Sequence, residues 1–128
     1  MIHRLLLAAL LALIPISTEN SILNRPDVKH AIPMVWAETD ARGDGTEYCF
    51  TIEPVGLVFY TGVPYACTMS IYKETIATVH THPSSGASEP SPKDREDAKE
   101  TKIPFYVVSQ RQIWVALPDG SIHLVLFR

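Results

Sequence analysis

The sequence predicts a single α/β domain in which a mixed sheet is flanked by helices. Three observations lead there. Apolar spacing gives the order helix, several strands, helix, three strands, the pattern of helices packed against one sheet. A chain of 128 residues has room for one core of modest size and not for two. A composition of 46% hydrophobic and 20% charged residues, with no biased tract, belongs to a folded chain and not to a disordered one.

The N-terminus reads differently from the rest. His3 and Arg4 precede an apolar run from Leu5 to Ile14, then Pro15 and a polar stretch from Ser17 to Ser21. This is the grammar of an export signal, and the run is shorter than the ~20 residues a membrane-spanning helix needs. Residues 1–20 are therefore expected to be a signal peptide or N-terminal anchor, and residues 21–128 the domain. The expected location is extracytoplasmic, periplasmic or secreted, with membrane contact only through an uncleaved N-terminal segment.

From Asn24 to Ala41, the residues Val28, Ala31, Ile32, Val35 and Trp36 recur at helical spacing, with Pro33 expected to kink or delay the helix. The Gly- and Asp-rich stretch 40–45 is a loop that hands over to a strand near Thr46, running through Glu47 to Ile52. Leu57 to Tyr60, bounded by Gly and Pro on both sides, is a second β-prone run, and Thr68 to Tyr72 a third. Thr75 to Val79 is rich in β-branched residues and runs into His80-Thr81-His82-Pro83. After a loop from Ser84 to Pro90, Ser91-Pro92-Lys93-Asp94 starts a helix that reaches Lys102, with Pro104 ending it. Its apolar face is thin, since only Ala98 and Ile103 are candidates, and its alternating charges mark a solvated side. Phe105 to Ser109, Gln112 to Leu117 and Ser121 to Phe127 close the chain as strands, the last two joined by a Pro118-Asp119-Gly120 turn. Trp36 and Trp114 are read as core or rim packing and His123 as structural.

A net charge of −3 and a pI near 5.9 provide no basic footprint for phosphate backbones, so nucleic-acid binding is excluded as the main role. The two cysteines, Cys49 and Cys67, are either a disulfide, which an oxidising compartment permits, or two buried thiols.

The chemistry concentrates between His80 and Asp94. Alternate residues of a strand share a face, so His80 and His82 project together while Thr81 points the other way. Asp94 lies in the first turn of the following helix, and the intervening loop folds the three groups toward one another. Two imidazoles and one carboxylate, with a fourth position left to water, form an ordinary catalytic Zn2+ shell. Ser91-Pro92-Lys93-Asp94 is also a good helix N-terminus by itself, and a capped start can present its acid to a metal.

His80-Thr81-His82-Pro83 and Ser91-Pro92-Lys93-Asp94, with eight residues between His82 and Ser91, resemble the His-x-His-Pro…Ser-x-x-Asp motif of JAB/MPN (JAMM) metalloproteins. The loop wording, Pro83-Ser84-Ser85-Gly86 followed by Glu89-Pro90-Ser91, also resembles that of the RadC family. The His-Thr-His-Pro run is similar to JAB-like domains of bacterial secreted and Rhs-type proteins. The common spacing between the second His and the Ser is seven residues; the eight here form one insertion that either shifts Asp94 or is absorbed as a bulge.

The resemblance implies a JAB/MPN-like, cytidine-deaminase-like fold over 21–128, with zinc on His80, His82 and Asp94. It implies that Ser91 donates to the oxyanion formed on the attacked carbonyl, and that a Glu on an earlier strand is the general base. Glu47 is the choice for that base, with Glu38 and Glu53 as alternatives. The function expected is a zinc-dependent peptidase or isopeptidase acting on a peptide or protein substrate, with the cell envelope as one source. A catalytically inactive JAB-like binding module that engages a protein partner is the second reading, and a merely structural metal the third.

Overall fold

The computed structural model describes residues 21–128, so the expected signal peptide or anchor at 1–20 lies outside the described residues. No helix among the described residues is long and apolar enough to cross a membrane.

Helix α1 spans Pro26–Arg42, starts with proline in its first turn and ends at Gly43, whose φ of 65° gives the left-handed C-cap. It buries Val28, Ala31, Ile32, Val35, Trp36 and Thr39, one stripe at helical spacing. Pro33 does not break it. That residue is exposed, so the Lys29 carbonyl deprived of its i+4 donor lies on the solvent side, where water can satisfy it. Arg25 anchors the helix start to the first hairpin, donating from Nη1 to the Glu53 carbonyl at 2.6 Å and from Nη2 to that of Gly56 at 3.3 Å.

Six strands follow: β1 (Thr46–Ile52), β2 (Leu57–Pro64), β3 (Ala77–Thr81), β4 (Phe105–Val108), β5 (Gln112–Ala116) and β6 (Ile122–Phe127). Helix α2 (Pro92–Thr101) connects β3 to β4. The sheet order is β2-β1-β3-β4-β5-β6, and only β3 and β4 are parallel. That parallel pair requires a crossover, and α2 is it. The chain is thus the mixed α/β sheet with flanking helices that the sequence predicts.

Strand alternation divides the side chains between two faces. Phe50, Ile52, Val79, Tyr106, Val108, Ile113 and Val115 face α1 and form the main core. The opposite face packs Phe105 and Ala116 against Ala98 of α2, with Ile71, Ile103 and Ile122 at the margin. This second core is as thin as the sequence of α2 implies, and its thinness leaves the β1–β3 end of that face open for a site.

Two expectations are corrected. Thr68 to Tyr72 is not a strand. Cys67, just before this segment, is disulfide-bonded to Cys49 of β1, with Cα atoms 6.2 Å apart, and the residues after it pair with no strand. Intrinsic β-preference without a partner strand gives no ladder. Conversely, β2 does not stop at Tyr60 but continues to Pro64, because β1 offers partners along its whole length. Pro64 is tolerated at the end of an edge strand, where its missing N–H breaks no ladder bond.

The β1–β2 register slips between Thr46 and Tyr48: Thr46 pairs Pro64, but Tyr48 pairs Thr61. An extra residue on β2 therefore lies opposite Glu47, a β-bulge. Gly62 sits in it, and a Cβ there would meet the Glu47 carbonyl oxygen at 2.8 Å. Beyond the bulge, Val63 and Ala66 exchange backbone hydrogen bonds of 2.9 and 3.2 Å around a tight turn. Tyr65 holds φ at +62° there, at a cost of about 1–2 kcal/mol for a residue with a side chain.

Candidate metal centre

His80 and His82 lie on and just after β3, on the α2 face, because the strand period places both on the side away from Thr81. Their Nε2 atoms are 3.2 Å apart. Asp94 completes a triangle: Oδ1 lies 3.1 Å from Nε2 of His80 and Oδ2 lies 3.3 Å from Nε2 of His82. The eight-residue loop thus absorbs its insertion, and the carboxylate is not displaced.

These separations fit a metal. Ligands about 2.0 Å from a tetrahedral ion are about 3.3 Å from one another. The second coordination layer fits as well, since Nδ1 of His82 is 2.9 Å from the Ala87 carbonyl oxygen. That carbonyl can only accept, so Nδ1 is the nitrogen that donates to it and Nε2 is the one turned toward the other donors. Nδ1 of His80 is buried with no hydrogen-bond partner among the described residues. His80, His82 and Asp94 form the group of donors, among the described residues, that could hold a metal ion.

Helix capping holds Asp94 in place. The Asp94 backbone N–H donates to Ser91 Oγ at 3.1 Å and the Ser91 N–H donates to Asp94 Oδ2 at 2.8 Å, a reciprocal capping box. A Ser91→Ala change is expected to cost about 1 kcal/mol, read as a fall in the denaturant midpoint.

The electrostatics are those of tightly gathered charges. Burial works to raise the Asp94 carboxyl, but His80, His82 and the Ser91 N–H outweigh it and hold the group far below the usual carboxylate range. Burial works to lower His80, yet Asp94, Glu47 and Asp97 together raise it. Burial pushes Glu47 up, against the attraction of His80 and His82 and with repulsion from Asp94.

The three glutamates separate by place. Glu47 is buried on β1 opposite the β2 bulge, on the same face as the histidines, and lines the cleft that contains them. Register explains this: Cys49 pairs with His80, so Glu47, two residues earlier, shares the face and lies toward His82. Glu38 is on α1, which packs against the other face of the sheet, beside Met34, Tyr48 and Phe59. Glu53 follows the far end of β1, where both carboxylate oxygens accept from Thr75 Oγ1 at 3.1 Å.

Thr81 matters in a way sequence pattern does not reveal. Its Oγ1 accepts from the Tyr48 N–H at 3.0 Å, lies 3.3 Å from the Tyr48 carbonyl oxygen, and is 2.6 Å from Thr39 Oγ1 of α1. This clamp fixes the Glu47 end of β1 against the His end of β3. Replacing Thr81 by Val keeps the β-branch but strands the buried Thr39 hydroxyl and Tyr48 N–H. A loss of about 2 kcal/mol is expected in chemical unfolding. The Ala87 carbonyl also escapes sequence reasoning, because a backbone acceptor needs no particular side chain.

The cleft has a volume of about 460 Å³. One side comprises Tyr65 to Met69, and the other Pro83, Gly86, Ala87, Glu89 and Pro90; Glu47, His80, His82, Ser91 and Asp94 also line it. Its contents suit general acid–base and metal-assisted chemistry on a substrate of peptide size.

Comparison with known proteins agrees with this geometry. The family model described as prokaryotic homologs of the JAB domain matches residues 21–120. No curated protein and no solved structure matches the chain significantly. The JAB/MPN family includes metal-dependent hydrolases, and the His80-His82-Asp94 group is compatible with one. With the matched span covering α1, α2 and the sheet through β5, the chain belongs to the family of prokaryotic homologs of the JAB domain.

Proposed function

We propose that this chain is an exported zinc-dependent hydrolase that cleaves a peptide or isopeptide bond. The observation that carries the reading is the convergence of His80, His82 and Asp94, at donor separations of 3.1–3.3 Å, in a cleft also lined by a buried glutamate. When bound, zinc would lower the pKa of a coordinated water toward 7 and polarise a substrate carbonyl.

The remaining roles belong to the protein. The His82 ring is oriented by Ala87, and Asp94 by the capping box. Glu47, kept from solvent beside the histidines, takes the proton from the attacking water and delivers it to the leaving amine. Ser91 can serve as cap and donor at once: capping uses a lone pair of Oγ, and the hydroxyl hydrogen remains for the oxyanion on the attacked carbonyl.

Two observations support hydrolysis over a catalytically inactive binding module: the inserted loop residue leaves Asp94 in place, and a glutamate stands on the metal face. Export rests on the N-terminal apolar segment and is supported by the Cys49–Cys67 disulfide, which an oxidising compartment preserves. A peptide or protein of the cell envelope is the substrate class this compartment suggests.

Metal analysis tests the reading. Purified protein should carry one zinc per chain, and His80→Ala should reduce this to background with loss of peptide cleavage. Metal content that is absent from the wild type, or unaltered by the substitution, would reject the proposal.

A further inference from the structure

Tyr65 sits where a tyrosine is out of place. The turn from Val63 to Ala66 has Pro64 followed by a residue with φ of +62°, a position that ordinarily takes glycine. Strain of this kind persists where the side chain is used. The backbone around it is fixed on both sides: the Tyr65 N–H donates to the Gly45 carbonyl at 2.9 Å, and Cys67 is bonded to Cys49. Cys49 is in turn the register partner of His80.

From this mount the ring lies against Gly45, where a Cβ would come within 2.9 Å of Cε2 and Cζ. The hydroxyl reaches Ser85 Oγ at 2.8 Å, in the loop that leads from His82 to Asp94. Tyr65 therefore stands at the mouth of the cleft and joins its two sides. It is 59% exposed and its bond to Ser85 is open to water, so that contact adds little to folding stability. The Ser85 contact therefore does not offset the strain.

We infer that Tyr65 is a substrate-positioning residue: its hydroxyl exchanges Ser85 for a backbone carbonyl of an extended peptide in the cleft, and its ring packs on that peptide. The inference rests on the hydrolase reading and specifies the substrate as an unfolded or extended segment.

The test uses the zinc-loaded full domain, a pool of synthetic decapeptides, and the variants Tyr65→Gly and Tyr65→Phe. Relief of left-handed strain offsets the entropy that glycine adds to the unfolded chain, so Tyr65→Gly should melt at or above the wild-type temperature with its zinc retained. Its KM for the peptide cleaved fastest by wild type should rise about tenfold with kcat little changed, and Tyr65→Phe should fall between. A lower melting temperature with unchanged KM would make Tyr65 a structural residue and overturn the inference. If wild type cleaves no peptide, the hydrolase reading fails separately, and binding of the same pool by fluorescence polarisation decides. Weaker binding by Tyr65→Gly supports the inference, whereas equal binding, or none by either protein, overturns it.

Discussion

Replacing Glu47 by Gln is expected to lower kcat by about 10²- to 10⁴-fold while leaving zinc content unchanged. The substitution keeps the size and the polar outline of the side chain, so the β2 bulge opposite it and the packing beside the histidines should persist. Only the ability to accept a proton is removed. Burial and neighbouring Asp94 already push this carboxyl up, the direction that suits a base working near neutral pH. Glu38→Gln and Glu53→Gln are the controls. Glu38 belongs to the helix on the opposite face, and Glu53 is held by Thr75 at the far end of β1. Both should retain activity, measured as single-turnover cleavage together with zinc stoichiometry. Full activity in Glu47→Gln would remove the proton-transfer role assigned to this residue.

The second large effect is expected from the disulfide. Cys49 and Cys67 are 18 residues apart in sequence, and opening a loop of that length should cost about 3 kcal/mol through the unfolded chain. For a domain of this size the melting temperature should fall by on the order of 10–20 °C. The double substitution Cys49→Ser with Cys67→Ser and wild type treated with a phosphine reductant should melt together, and the double variant should ignore the reductant. Because Cys67 helps line the cleft and Cys49 is paired with His80, the same change should loosen the Tyr65–Met69 side while the metal donors remain. A melt unaffected by reduction would show that the bridge contributes nothing to stability.

The histidine pair was legible because i and i+2 on a strand share a face whatever the strand packs against. Asp94 was legible because Ser-Pro-x-Asp is a helix start that acts within one turn. The thin face of α2, the hairpin at Pro118–Gly120 and the stripe of α1 were readable for the same reason. Pro33 does not delay the helix, because the cost of a helix proline depends on what surrounds the orphaned carbonyl, and exposure is not written in a local pattern. Thr68 to Tyr72 misled because β-preference describes a residue and not the partner strand it needs.

The sequence by itself determined the fold class, the family resemblance and the three candidate metal donors, all of which depend on residues close in the chain. Only the tertiary structure decided which glutamate faces those donors, that the cysteines are bonded, that Thr81 ties β1 to α1, and that Tyr65 spans the cleft. Each of these depends on the register between β1, β2 and β3, together with the path of the chain between 65 and 76. The physical reason is that strand pairing joins segments tens of residues apart, and a shift of one residue in register would turn Glu47 to the other face.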